Sequence, residues 1–126
     1  MAEVLKDRKY TKTHEWIKEE GDGVLVGLTD YAQDALGDIV FVNLPEVDDA
    51  VEEGASFGEV ESVKAVSDVY SPVSGTVDAI NEEVLDRPEA VNESPYDTWL
   101  IRVRAVTGCE DLLEPEAYEA LLAETK

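Results

Sequence analysis

The chain has 126 residues, with thirty Asp and Glu against ten Lys and Arg, a formal charge of −20, one Cys and one His. That length suits a single domain over 1–126 that fills a core without disulfides or structural metal, and Cys109 with His14 falls short of the three or four ligands of a zinc site. The charge repels a phosphate backbone and anionic lipid, which argues against nucleic acid and membrane as partners, and no apolar run nears the ~20 residues of a membrane span.

The start, MAEVLKDRKY, lacks both the apolar run of a signal peptide and the acid-free, Arg-rich face of a transit peptide, so a cytoplasmic protein is expected. Acids spread along a chain punctuated by Val, Ile, Leu and aromatic residues describe a globular surface rather than a disordered tail. Such a surface suits high salt, where screening removes self-repulsion, and a halophilic prokaryotic source.

From Tyr10 to Val106 the pattern is strand and turn. His14 to Glu19 and Val24 to Leu28 flank Gly21-Asp22-Gly23 and predict a hairpin. Thr29 to Gly37 predicts a short helix: Thr29 caps, Asp30 suits the positive end of the dipole, Gly37 terminates, and Tyr31, Ala32, Ala35 and Leu36 share one face. Asp38 to Leu44 predicts a strand stopped by Pro45, and Glu46 to Gly54 a loop or weak edge strand. Phe57 to Val63 and Ala65 to Tyr70 are extended runs either side of Lys64. Ser71-Pro72 marks a turn, and Gly75 opens a strand over Thr76 to Ile80.

Asn81 to Pro95, with acids and two prolines, reads as a long surface loop. Thr98 to Val106 alternates as the last strand, and Glu114-Pro115 starts a helix with Ala117, Tyr118, Leu121 and Leu122 on its apolar stripe. Many short strands with one helix between them and one at the end predict a mainly β fold, a small antiparallel sandwich or barrel.

Between Lys18 and Arg87 stand eighteen acidic residues and one basic one, Lys64. In GEVESVKAVSDVYSPVSG the lysine falls between two extended runs, where a tight turn pushes its side chain out at a hairpin tip. From spacing alone it is a charge that discourages edge pairing or an acceptor for a modifying enzyme. Unmodified, it is a poor nucleophile: a reactive amine needs an apolar pocket or a neighbouring cation, and Glu59, Glu61 and Asp68 favour its charged form. His14 has no fixed Cys, Ser or Asp partner and reads as structural. Cys109, in Gly108-Cys109-Glu110, has acidic company that disfavours its thiolate. No catalytic set and no metal set assembles from these residues.

Tyr10 to Trp16 (YTKTHEW), Val26 to Leu44 (VGLTDYAQDALGDIVFVNL), Phe57 to Val77 (FGEVESVKAVSDVYSPVSGTV) and Asn92 to Ile101 (NESPYDTWLI) resemble the H proteins of the glycine cleavage system. The resemblance spans nearly the whole chain. Simpler lipoyl and biotinyl domains share only a lysine on a hairpin and lack the TDYAQDALGDIV segment. The resemblance implies a lipoyl-domain-like barrel-sandwich hybrid that carries lipoic acid, joined by an amide to Lys64. It implies a non-enzymatic shuttle, monomeric, that takes an aminomethyl group from glycine decarboxylase to a folate-dependent aminomethyltransferase and is reoxidised by dihydrolipoyl dehydrogenase. Tethering holds the group at high effective concentration near each active site. A lipoate-attaching enzyme would recognise Glu61, three residues before the lysine, and Gly75, eleven after it. The arm would fold back into a cleft at Thr13, Glu15 and Asp68, whose carboxylates suit a primary ammonium. Family members commonly have Gly before the tryptophan of the last strand, where this chain has Thr98. Alternatives within reach of the same sequence are a lipoyl relay serving other complexes and an unmodified acidic adaptor.

Overall fold

A computed structural model describes residues 3–109 and 112–125 and gives two antiparallel sheets. The strands are β1 (Lys9–Tyr10), β2 (Glu15–Glu20), β3 (Gly23–Leu28), β4 (Ile39–Asn43), β5 (Ala50–Val51), β6 (Ser56–Ser62), β7 (Val66–Tyr70), β8 (Val73–Ile80) and β9 (Ile101–Cys109). Helix α1 (Asp30–Leu36) lies between β3 and β4, α2 (Glu82–Asp86) and α3 (Ala90–Glu93) between β8 and β9, and α4 (Pro115–Thr125) follows β9. One sheet runs β1-β2-β3-β9-β8-β5 and the other β4-β6-β7. This is the mainly β sandwich that the short alternating strands predict.

Valines fill the space between the sheets, as β-branched side chains pack well on pleated surfaces. Val26, Val73, Val77, Ile101 and Val103 of the larger sheet form one fully buried group. Val42, Val60 and Val69 of the smaller sheet join Leu28, Ile39 and Leu100 in another. Burying each such side chain stabilises by about 1.5–3 kcal/mol. A third group, Tyr10, Trp16, Tyr96 and Tyr118, seats α4 against β1 and β2. Tyr10 and Tyr118 stack at 4.6 Å between ring centres. Pro115 stands at the first position of α4 and is buried; Tyr118, Leu121 and Leu122 face the aromatic group, whereas Ala117 of the expected stripe is exposed.

The expected loop over Asn81 to Pro95 is instead two short helices. Asn81 Oδ1 accepts from the Glu83 N–H at 3.2 Å to start α2, and Val84 and Val91 are completely buried. Tertiary burial overrides the local acid and proline content here. Thr98, where the resemblance leads one to expect Gly, is buried, and its hydroxyl donates to the Ala90 carbonyl at 3.1 Å, so threonine supplies a partner for a helix carbonyl. The last strand begins at Ile101, after that turn, and β8 begins at Val73 with Gly75 inside it rather than before it.

Candidate functional site

Lys64 stands at the tip of the β6–β7 hairpin, as the flanking alternation requires, and it is exposed. One serine fixes the tip. Ser62 Oγ accepts from the Lys64 and Ala65 N–H groups, each at 3.1 Å, and the Ser62 N–H donates to the Ala65 carbonyl at 2.8 Å. The Val63 N–H donates to Asp38 at 3.0 Å, which pins the tip to the α1–β4 connection. A turn held on both sides presents its lysine at a defined place while the four-carbon stem stays free to move.

Gly37 ends α1 with φ 83 and its N–H on the Gln33 carbonyl at 3.0 Å. A Cβ built there would lie 3.2 Å from Lys64 Cε, so the lysine stem runs over the end of the helix. The helix face that starts at this point, Tyr31, Ala32, Ala35 and Leu36, forms one wall of a groove of about 160 Å³. The opposite side is Thr13, His14 and Glu15 with Ser67, Asp68 and Val69 of β7, and Leu28 and Val60 also line it. The groove is apolar on its helical side and polar on the other. Its helical wall ends at Leu36, next to the Gly37 that the Lys64 stem crosses.

Glu15 is 1% exposed, in a strand start where Glu15, Trp16 and Ile17 are all buried. Its carboxylate accepts from the Thr11 hydroxyl at 2.6 Å, from the Thr13 hydroxyl, and from the Tyr70 N–H at 3.3 Å. Burial pushes its pKa upward, opposed by these hydrogen bonds. It is not a solvated surface acid. Asp68 differs: it is exposed and pairs directly across the ladder with Glu59, so it shares the outer sheet face with that residue and touches the groove at its rim.

His14 has φ 73, in the left-handed region, and its ring lies 4.5 Å from that of Tyr31. Its Nδ1 is 2.9 Å from the Tyr118 hydroxyl, which is 2.7 Å from the hydroxyl of Thr29. Thr29 Oγ1 accepts from the Ala32 N–H at 3.2 Å and so caps α1. Burial lowers the His14 pKa, which keeps the ring neutral near pH 7. The histidine is structural, and the chain His14–Tyr118–Thr29 ties α4 to both walls of the groove. Sequence reasoning missed this link, because no local pattern joins residues 89 and 104 positions apart.

Glu61 is half-buried in β6, between Phe41 of β4 and Val66 of β7 in the ladder, three residues from Lys64. Gly75 lies in the larger sheet, opposite Val51, and is not brought to the hairpin tip. A Cβ there would sit 2.6 Å from Val103 Cγ1 and 2.7 Å from the Arg104 carbonyl, so only glycine fits. Cys109 ends β9, and its side chain lies outside the described residues. Among the described residues no group of three or more His, Cys, Asp or Glu is arranged to hold a metal ion, and no helix is long and apolar enough to cross a membrane.

A lysine amine open to solvent on a fixed turn, with its stem over the end of the helix that walls the groove, is placed to carry an acyl arm. The family model described as glycine cleavage H-protein matches residues 8–125. A glycine cleavage system H protein of Lachnoclostridium phytofermentans is 56% identical over 117 residues, covering 92% of each chain. One from Rubrobacter xylanophilus is 55% identical over 125 residues, 98% of each. The crystal structure of a glycine cleavage system H protein from Mycobacterium marinum superimposes with a TM-score of 0.91 at 41% identity, over 95% of this chain and 99% of that one.

Proposed function

The chain belongs to the glycine cleavage H-protein family, and from that membership we propose that Lys64 is where its lipoyl group is attached. The protein is a lipoyl-bearing shuttle and not an enzyme, and it works with the other components of the glycine cleavage system. The lipoyl group, bound through an amide, supplies a sulfur that receives an aminomethyl group from glycine decarboxylase and yields it to the folate-dependent aminomethyltransferase. The chain's own residues do the holding and presenting.

The observation that carries the assignment is the placement of Lys64: exposed, on a turn fixed by Ser62 and Asp38, with its stem over the end of α1 and the groove beyond. Glu15 and Thr13 offer a primary ammonium a carboxylate and a hydroxyl at the polar side of that groove. Because Glu15 is buried, its attraction for such a cation is weakly screened. Asp68 contributes charge at the rim. Glu61 and Gly75 are features that a lipoate-attaching enzyme reads, Glu61 by contact beside the lysine and Gly75 by letting β8 pack closely on β9. Dihydrolipoyl dehydrogenase as reoxidant, a monomeric single domain over 1–126 and a cytoplasmic setting complete the reading.

The test is attachment itself. Wild-type protein and Lys64→Arg, each incubated with a lipoate-attaching enzyme, lipoic acid and ATP, are compared by intact mass. The wild type gains one lipoyl group and the arginine variant, folded equally well, gains none. Lipoyl mass on the arginine variant would place the arm elsewhere.

A further inference from the structure

Only Gly37 and Asp38 connect α1 to β4, and this connection meets the hairpin tip twice. The Asp38 carbonyl accepts from the Val63 N–H at 3.0 Å, and the Lys64 stem runs over Gly37. Wherever the connection sits, the root of the arm sits with it. Yet it has no anchor of its own: Gly37 lacks a side chain, and Asp38 is exposed. Nor does the β4–β6 ladder hold this end, because its register shifts between Ile39 and Phe41.

The anchor is one side chain of α3. Asn92 Oδ1 accepts from the Ile39 N–H at 2.9 Å on one side of Asp38, and Asn92 Nδ2 donates to the Gly37 carbonyl at 2.8 Å on the other. Nδ2 also donates to Gln33 Oε1 at 2.9 Å, one turn back in α1. One acceptor and two donors on so short a stem are what an asparagine amide offers; aspartate would set a carboxylate against two oxygens, and alanine has no polar atom. Asn92 is itself held, since Val91 beside it is completely buried and its own N–H donates to the Glu89 carbonyl at 3.0 Å.

We propose that Asn92 is a positioning residue for the lipoyl arm: by clamping residues 37–39 from α3 it fixes the arm's root at Lys64 against the helical wall of the groove, and so sets how long the loaded arm stays folded in. The inference rests on the reading of Lys64 as the attachment site and of the groove as the arm's resting place. Asn92 does not line the groove, so it acts through Gly37 and Asp38. The turn itself is held by Ser62 and does not depend on the clamp. Presenting the lysine and retaining the loaded arm are therefore separate tasks, and Asn92 serves the second.

The experiment has two readouts, both taken well below the melting midpoints. In the full chain before attachment, amide hydrogen exchange is followed by NMR. Asn92→Ala speeds exchange at Val63 about tenfold and leaves Lys64 and Ala65, held by Ser62, within about twofold. Asn92→Asp, equal in size, does the same, and it carries the comparison if the alanine variant fails to fold. In the lipoylated and loaded carrier, either variant releases ammonia and formaldehyde about fivefold faster than the wild type, while its rate of lipoylation stays within about twofold. Val77→Ala, which opens a cavity in the core of the larger sheet, lowers the melting midpoint and leaves Val63 exchange and carrier lifetime unchanged. Wild-type exchange at Val63 in the Asn92 variants overturns the proposal. So does an unchanged carrier lifetime, or lipoylation that slows as much as release quickens, since the last assigns Asn92 to presenting the lysine. A wild type that gains no lipoyl group sinks the Lys64 reading instead, and the exchange rates still decide whether Asn92 clamps the tip.

Discussion

Glu15, at the start of β2, accepts a hydrogen bond from the backbone N–H of Tyr70 at the far end of β7, joining the two sheets across the groove through one buried carboxylate. The same carboxylate takes the hydroxyls of Thr11 and Thr13. A charge left this deep needs those partners, two of them offered by the β1–β2 connection and one by β7. The carboxylate thus ties the β1–β2 connection to β7 as well as giving the groove charge.

Glu15 and Asp68 are separable by mutation. Glu15→Gln should shorten the life of the carrier loaded with the aminomethyl group about tenfold, in line with a charge-assisted bond contributing roughly 1.5–3 kcal/mol. Asp68→Asn, altering an exposed rim group, should change it less than twofold. Release of ammonia and formaldehyde from purified loaded protein measures both. Equal effects from the two substitutions would contradict the buried and exposed placements.

Stability should respond to pH in opposite senses at two adjacent residues. The folded-state pKa of Glu15 lies above its usual 4.5, so the folded state binds that proton more tightly, and stability is lost as pH rises from 4.5 through the folded value. Glu15→Gln should therefore gain on the wild type across that window. The folded-state pKa of His14 lies below its usual 6.5, so its contribution is lost as pH falls through 6.5 toward the folded value. His14→Asn, which tolerates the left-handed backbone, should close its gap to the wild type there. Urea midpoints at half-unit pH steps give the two differences. Parallel curves for either pair would remove the corresponding proton linkage.

Gly75→Ala tests whether that glycine is a packing requirement. Its Cβ would collide with Val103 Cγ1 and the Arg104 carbonyl, and overpacking of this kind costs about 1–3 kcal/mol. The melting midpoint should drop by several degrees. A variant that melts like the wild type yet is poorly lipoylated would show direct reading by the attaching enzyme instead.

Salt should stabilise the domain. Arg102 and Arg87 each serve three acids, and ten Lys and Arg cannot offset thirty Asp and Glu. Thermal midpoints should rise with potassium chloride as repulsion is screened. A flat or falling series would remove the high-salt explanation of the acidity.

The hairpin was readable because its signals are local: two extended runs with one lysine between them. Helix α1 was readable for the same reason, with Thr29 and Gly37 at its two ends. The groove was not. Its helical wall showed only as an apolar face over Tyr31, Ala32, Ala35 and Leu36, with nothing to say what it opposes. Glu15 carries the identity of a surface acid, and its burial depends on Thr11, Thr13 and a strand fifty-five positions away. The helices over 82–86 and 90–93 were hidden likewise, since the burial of Val84 and Val91 that sustains them comes from the rest of the fold.

The hydroxyl of Tyr118 has a consequence for how the protein tolerates shortening. It is the shared partner of His14 and Thr29, and Tyr118 is completely buried. A chain cut before α4 would leave the two β sheets intact on paper while stripping a left-handed histidine and a helix cap of their common support. Damage would surface not at the cut but in the arm's resting place, as a folded carrier that accepts its lipoyl group and then lets its cargo go.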